Sequence, residues 1–555
     1  MNIAKSLKIH LAQLNFVVGD LSGNLNKILK QYEMANNNNC DLIIFSELAI
    51  SGYPCEDLWQ KKHFIDDCKS KILEIMAFSK NKKCAILISS PSIVTERENE
   101  VLRNSAFLIE DGEIKNIIYK KTLPNYGVFD EKRYFNSVNS LNLVNFRGYK
   151  FGILICEDIW DEKNLFLLKE QNIDGIISIN ASPYQLKKHQ IRVEAVKIFA
   201  ETLRVPIFYV NQIGAQDGLV FDGASFVMAN DGKIYQQLAN FYEDYFEFEF
   251  SKNQEITHRN LNDKLFYEDE LMQNYCAIIL GIRDYFAKNN FSKALIGMSG
   301  GIDSALVATI AVDALGADNV KIVALPTKFN SSSSMIDAEI CAKNLGLNLE
   351  VIDIEEIFQN FSKTLQSHQK ISDLALENIQ SRIRGNILMA ISNSENSLLL
   401  TTGNKSEMAC GYATLYGDMN GGFNPIKDLY KTEIYEIAKF RNKNFCPIGL
   451  LKKTQIIPDN IITKEPSAEL RFNQKDSDSL PPYEILDKIL DSLIEKQNSI
   501  KETVELGFDE ALVNKVSKLI LNSEYKRKQS AIGVKISSMS FDKDRRYPIT
   551  NKYNF

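Results

Sequence analysis

The opening stretch KIHLAQLNF, residues 8–16, alternates apolar and polar side chains with a period of two, which predicts a β-strand with one face buried. Further short apolar runs follow at close intervals: DLIIFSE, CAILISS, SAFLIE, EIKNIIYK, KFGILICED, GIISIN, PIFYVNQ, SFVMAN and YFEFEF. Helical spacing appears between them, from about Leu25 to Met34 and again near Ile72. Strands and helices joined by short loops predict α/β layering over residues 1–252. The polar stretch SKNQEITHRNLNDK offers little to bury, so its residues 253–264 are expected to link two domains.

From Leu265 the pattern changes. A long amphipathic helix, ELMQNYCAIILGIRDYFAK, leads into the strand KALIGM and the helix IDSALVATIAVDALG. A second step follows in VKIVALPTKF and its helix AEICAKNLG, then the strand LEVIDI. Repeated strand-to-helix steps predict a doubly wound parallel sheet over residues 265–555. The fold class expected for both parts is α/β.

A chain of 555 residues is too long for one core and implies two to four domains. A net charge of −6 argues against a nucleic-acid partner. No apolar run reaches the length of a membrane span and the N-terminus lacks a signal-peptide core, so a cytoplasmic protein with no membrane partner is expected. The nine cysteines are scattered without a CxxC pair, which points to neither a zinc site nor a disulfide framework. None of the five histidines sits in a metal-like cluster, so chemistry is expected to rest on other groups.

The strongest chemical signal is GMSGGIDSAL, residues 297–306, directly after the apolar run KALI. Ser299, Gly300 and Gly301 let backbone N–H groups approach an oxyanion, and the helix that follows adds its positive end. Gly297, Met298, Ile302 and Ser304 complete the loop, and Asp303 offers a carboxylate where Mg²⁺ would bridge phosphates. Neither a GxxxxGK[ST] nor a GxGxxG motif competes with it. The loop resembles the pyrophosphate-binding motif of the ATP pyrophosphatase superfamily, whose members transfer AMP onto an acceptor oxygen.

In the first half, three stretches each place a reactive residue just past a predicted strand: IIFSELAISGYP, YKKTLPNYGVFDEKRYF and GILICEDIW. A thiol becomes a nucleophile when a base takes its proton and a cation stabilises the product charge. Cys156 has Glu47 and either Lys120 or Lys121 as candidates for those parts. The ordered Glu, Lys, Cys resembles the nitrilase, or carbon–nitrogen hydrolase, superfamily. That resemblance implies an α-β-β-α sandwich with Glu47 as general base, Lys120 stabilising the tetrahedral intermediate and Cys156 as nucleophile. It also implies that Glu131 orients the lysine, against the alternative of a solvated acid at a helix start.

A nitrilase-like half joined to an ATP pyrophosphatase half is similar to the glutamine-dependent NAD synthetases, from the first strand to DRRYPITNKY. The resemblance implies that ATP, glutamine and deamido-NAD are the small-molecule partners, that Mg²⁺ is required, and that the protein is a homo-oligomer. It assigns Tyr126, Ser182 and Lys188 to glutamine, and Thr402, Lys431 and Ser467 with the 297–304 loop to ATP. Asn378, Arg382, Glu407 and Lys526 fall to deamido-NAD, and Asp303 with Glu407 to the metal. Where Lys188 stands some relatives have arginine, which matters for a bidentate grip on a carboxylate. Lys526 lies in a tail with seven basic residues that would otherwise read as a solvated charge run. Two alternatives remain: a GMP synthetase-like amidotransferase, which would need a histidine beside its cysteine, and an RNA-modifying adenylating enzyme, which would need a basic face.

Overall fold

A computed structural model of the chain describes residues 6–258, 266–472 and 474–553. The chain divides into one compact unit up to Glu268 and a second from Asp269. The last part of the expected linker and Leu265 lie outside the described residues.

The first unit contains β1 (Leu7–Gln13), β2 (Leu42–Ile44), β3 (Ala85–Glu96), β4 (Asn99–Glu110), β5 (Glu113–Tyr119), β6 (Leu143–Phe146), β7 (Tyr149–Ile155) and β8 (Gly175–Asn180). These are followed by β9 (Ile207–Asn211), β10 (Ile213–Gln216), β11 (Leu219–Asp222), β12 (Phe226–Met228), β13 (Ile234–Gln237), β14 (Asp244–Phe250) and β15 (Ile256–Thr257). Two mixed sheets form, one in the order β15-β14-β1-β2-β3-β4-β5 and one in the order β13-β12-β9-β8-β7-β6. β15 lies inside the polar stretch expected to be linker and pairs with Glu249 and Phe250. Two residues at a sheet edge are too few to leave a periodic signal.

Alternation along the strands builds the layers. Leu42 and Ile44 join a core with Ile153, Ile177 and Phe208 of the other sheet. Ile43 and Phe45, on the opposite face, pack with Ile28, Tyr32, Ile65 and Ile72 of helices Leu21–Asn37 and Lys62–Ser79. The second sheet is covered in the same way by helices Glu162–Lys169 and Lys188–Leu203. The result is the α-β-β-α sandwich.

The second unit holds β16 (Ala294–Gly297), β17 (Val320–Ala324), β18 (Leu349–Val351) and β19 (Leu398–Leu400), all parallel, in the order β18-β17-β16-β19. The chain runs from β16 to one side and returns with β19 on the other, which makes the ends of β16 and β19 the switch point where doubly wound sheets bind ligands. Helix Ile302–Leu315 is almost wholly buried because it also packs against helices Glu270–Lys288 and Lys431–Lys443. Helices Glu355–Gln366 and Asp373–Glu395 cover the other face through Phe358, Ile379 and Ile383.

Two sequence expectations change here. His10 does sit with other ligand-type groups, since one of its ring nitrogens, the Cys40 sulfur and a Glu247 carboxylate oxygen lie within 4.8 Å of one another. β1 and β14 put His10 directly opposite Glu247, a pairing across 237 residues that no local pattern shows. Glu247 is already paired with Lys8 at 3.0 Å and accepts from Asn38 at 2.7 Å, so the cluster reads as a structural hydrogen-bond network. The basic tail is likewise no solvated run: Arg527 and Arg545 are buried on Glu524, and Lys535 on Asp544.

Candidate active sites

Glu47 lies three residues past β2, Lys120 one past β5, and Cys156 one past β7. The first two strands belong to one sheet and β7 to the other, yet the sandwich brings the three side chains into one buried cluster. Lys120 Nζ donates to Glu47 Oε1 and to Glu131 Oε1, both at 2.8 Å. Asn104 Nδ2 also donates to Glu47 Oε1, at 2.8 Å, and the Ala181 N–H to Glu47 Oε2 at 3.0 Å. Glu131 is buried and accepts from Tyr53 OH at 2.9 Å, which rules out the solvated alternative. Lys121, half-buried, contributes a backbone N–H to Asp158 at 3.1 Å.

Burial opposes the charge on Lys120, but Glu131 and Glu47 outweigh it and hold the ammonium well above its ordinary range. Burial, reinforced by the Glu47 charge, pushes the Cys156 thiol well above its ordinary value, and Lys120 only partly offsets this. The resting sulfur therefore keeps its proton and needs a base during attack. Cys156 also has φ +49°, in the left-handed region that a non-glycine residue rarely adopts, and opens the short 3₁₀ turn Cys156–Trp160.

Around this cluster, Tyr126 is exposed and donates to Glu157 at 3.0 Å. The Lys188 ammonium stacks over Trp160 at 4.4 Å and acts electrostatically on Glu157. Ser182 is gripped from below: Arg192 donates to its Oγ at 3.1 Å and its carbonyl at 2.9 Å, while the other end of the guanidinium pairs with Asp222 at 2.7 Å. Arg192, wholly buried, gave no sequence signal because its partners lie 10 and 30 residues away.

In the second unit a cavity of about 440 Å³ opens at the ends of β16 and β19. Its wall includes Gly297, Met298, Ser299, Gly301, Ile302, Asp303 and Ser304, then Thr402, Glu407 and Lys431. Asn378, Ser467 and Lys526 line it as well. Gly300 is set behind the wall with φ +79°, where a Cβ would come within 2.1 Å of the Ser334 carbonyl oxygen. No side chain fits there, so the loop closes on backbone alone. Ser299 and Ser304 hydroxyls meet at 3.1 Å and Gly301 N–H donates to Ser299 Oγ at 3.2 Å, fixing the turn.

Lys431, at the first position of its helix, sits between two carboxylates: its ammonium pairs with Asp303 and lies 3.5 Å from Glu407. Burial opposes its charge, yet Asp303 and Glu407 together raise it. Burial in turn raises Glu407, which Lys431 only partly counters. Asn378 accepts from Thr414 Oγ1 at 2.9 Å, and Lys526 Nζ donates to the Gly411 and Ala413 carbonyls at 2.7 and 2.8 Å. Ser467 donates to Gln474 O at 2.6 Å.

Arg382 does not line the cavity; it is exposed and donates to Leu415 O at 3.2 Å. Arg384, two residues on, does line it, with burial pulling its guanidinium down to about 10. Residues two apart on a helix point to different sides, so the sequence offered two arginines without saying which one turns inward.

The comparisons with known proteins divide the chain at the same place. Residues 8–250 match the carbon–nitrogen hydrolase family and residues 274–530 the NAD synthase family. A hydrolase half of the first kind joined to a synthase half of the second defines the class. Over 549 residues the chain is 41% identical to the glutamine-dependent NAD(+) synthetase of Acinetobacter baylyi, covering 99% of each, and over 583 residues it is 40% identical to that of Thermotoga maritima, again covering 99% of each. It is also similar to the solved glutamine-dependent NAD(+) synthetase of Acinetobacter baumannii in complex with adenosine diphosphate, at TM-score 0.77 and 38% identity over 99% of both chains. The chain belongs to the glutamine-dependent NAD(+) synthetases.

Proposed function

We propose that the first unit releases ammonia from glutamine and that the second uses it to amidate deamido-NAD to NAD at the expense of ATP. The observation that carries this is the pair of complete and chemically different residue sets, one in each unit. Glu47 takes the Cys156 proton as sulfur attacks the glutamine amide carbon. The Lys120 ammonium, kept charged by Glu131 and Glu47, stabilises the oxyanion. Glu47 passes that proton to the amide nitrogen, the C–N bond breaks and ammonia leaves; water, giving up its proton through Glu47 to the sulfur, then returns the thioester to glutamate and free thiol. Tyr126, Ser182 and Lys188 surround the glutamine backbone, with a single lysine point charge in place of a bidentate arginine.

In the second unit the 297–304 loop holds the ATP phosphates, with Thr402, Lys431 and Ser467 on the nucleotide. The deamido-NAD carboxylate attacks the α-phosphorus, pyrophosphate leaves, and ammonia displaces AMP from the adenylate. Asn378, Glu407 and Lys526, which line the cavity, are assigned to deamido-NAD, and Arg382, which stands off its wall, drops out of that set. Asp303 and Glu407 supply the hard oxygen ligands that Mg²⁺ prefers, and their flanking of one cation suits a site of concentrated positive charge. When bound, the ion would neutralise charge on the departing pyrophosphate. The domains are taken as 1–252 and 265–555.

A homo-oligomer is supported by Phe166, Leu167, Ile191 and Ile198, large apolar side chains exposed on the two helices over the second sheet. Sedimentation showing a monomer at micromolar concentration would contradict it. Among the described residues no helix is long and apolar enough to cross a membrane. The function is tested by incubating the protein with ATP, Mg²⁺, glutamine and one acceptor at a time. Deamido-NAD alone should stimulate release of AMP and pyrophosphate; stimulation by XMP or tRNA in its place would overturn the reading.

A further inference from the structure

The three reactive residues of the first unit hang from strands that share no common ladder. β5, which delivers Lys120, is the far edge of one sheet, and β7, which delivers Cys156, lies in the other. Backbone pairing therefore fixes each residue within its own sheet and leaves the offset between ammonium and thiol unspecified.

Several side chains cross that gap, among them Asn142, whose Nδ2 donates to Tyr119 O at 2.8 Å, and Asp158, which stands nearest to Cys156 in the chain. Asp158 stands two residues after Cys156 and is 1% exposed. Its Oδ1 accepts from the Thr122 N–H at 2.7 Å and the Lys121 N–H at 3.1 Å, both in the segment leaving β5. Its Oδ2 accepts from the Ile155 N–H at 3.0 Å, at the end of β7. Its own carbonyl is held by Asn164 Nδ2 at 2.8 Å, and the next acid, Asp161, accepts from Thr122 Oγ1 at 3.1 Å. On the far side of Lys120, the Asn104 carbonyl accepts the Lys120 N–H at 2.8 Å while the Asn104 side chain holds Glu47. The three residues are thus linked in series, Glu47 to Asn104 to Lys120, and Lys120 to Asp158 to Cys156.

We propose that Asp158 is a positioning residue for the glutaminase step: its carboxylate clamps the Lys120 segment of one sheet to the Cys156 turn of the other, and so sets where the ammonium stands relative to the thiol. The inference rests on the proposed roles of Lys120 and Cys156. Three backbone donors fill most of the roughly four acceptor sites of this carboxylate and fix its orientation. Two of them come from the residues immediately after the lysine. The left-handed backbone of Cys156 is held from the same point, because the bond from the Ile155 N–H anchors the residue that precedes it. Asn cannot do the same work, since its amide end presents hydrogens to an N–H group.

The test uses the full-length protein, whose second unit supplies an internal control. Asp158→Asn should lower kcat for glutamine-dependent NAD synthesis by about 100-fold, the scale expected for displacement by roughly 1 Å, while KM for glutamine changes less than threefold. Synthesis from ammonium chloride should stay within twofold of the parent protein. Asp158→Glu, which keeps the charge but lengthens the arm, should lose about tenfold in the same kcat and serves if the Asn variant does not fold. Glutamine-dependent kcat within threefold of the parent in the folded variant would overturn the proposal, as would a loss appearing wholly in KM. Cys156→Ala is run alongside: if it retains glutamine-dependent synthesis, the site assignment has failed; if it alone is inactive, only the clamp has.

Discussion

The two sites of this chain are built on opposite plans. In the first unit Glu47, Lys120 and Cys156 are almost wholly buried, and the two charged residues are held by several partners before any substrate arrives. In the second unit about 440 Å³ of space is bounded by loops, and much of its wall comes from the strand-to-helix turn and the segment from Lys464 to Asp476. The difference follows from the chemistry. Attack on a small amide needs one proton and one charge in fixed positions, which a rigid buried cluster provides. Nucleotide chemistry needs room for a large anionic ligand, with backbone donors and paired charges waiting at its edge.

The comparison is sharpest where charge is removed from one site and the other is watched. Asp303→Asn should lower NAD synthesis about 10²- to 10³-fold with glutamine or with ammonium as nitrogen source, because it removes the carboxylate paired with Lys431 beside the phosphate loop. Glutamate release by the first unit should continue at a measurable rate. Residual NAD synthesis within a few-fold of the parent would place the metal ligand elsewhere.

A smaller effect separates the units by pH. Burial lowers His189 to about 4, and the ring packs against Phe266 at 4.8 Å in the first unit. Its folded value lies below the unfolded value of 6.5, so the unfolded chain binds more protons in mild acid. The His189 contribution to stability is therefore present above about pH 6.5 and is lost as pH falls toward 4. His189→Asn should remove about 1–3 kcal/mol of that pH dependence from unfolding of the first unit. The second unit's one histidine, His368, is exposed, and its unfolding should not change with the substitution. Parallel stability curves for parent and variant between pH 4 and 6.5 would contradict the assignment.

How much of this was legible beforehand depended on sequence distance. The phosphate loop is contiguous, and its glycine and serine pattern reads directly onto the turn at residues 297–304. The strand ends carrying Glu47 and Cys156 were visible because apolar runs stop there. The residues alone left Lys120 and Lys121 open and the family resemblance chose Lys120; in the structure it is the Lys120 ammonium that reaches Glu47. Asp158, Arg192 and Arg384 were missed for one reason: each acts through partners distant in the chain, and an isolated charged residue has no local signature. The tail with seven basic residues would on charge count alone read as solvated, since composition cannot show that Glu524 and Asp544 wait to bury part of it.

The central claim, that two independent sites divide the reaction at ammonia, is tested most directly by Cys156→Ala assayed with each nitrogen source in turn. The account predicts that glutamine-dependent NAD synthesis falls to background while ammonium-dependent synthesis stays within twofold of the parent protein. Loss of both activities, or survival of the glutamine-dependent one, would contradict it.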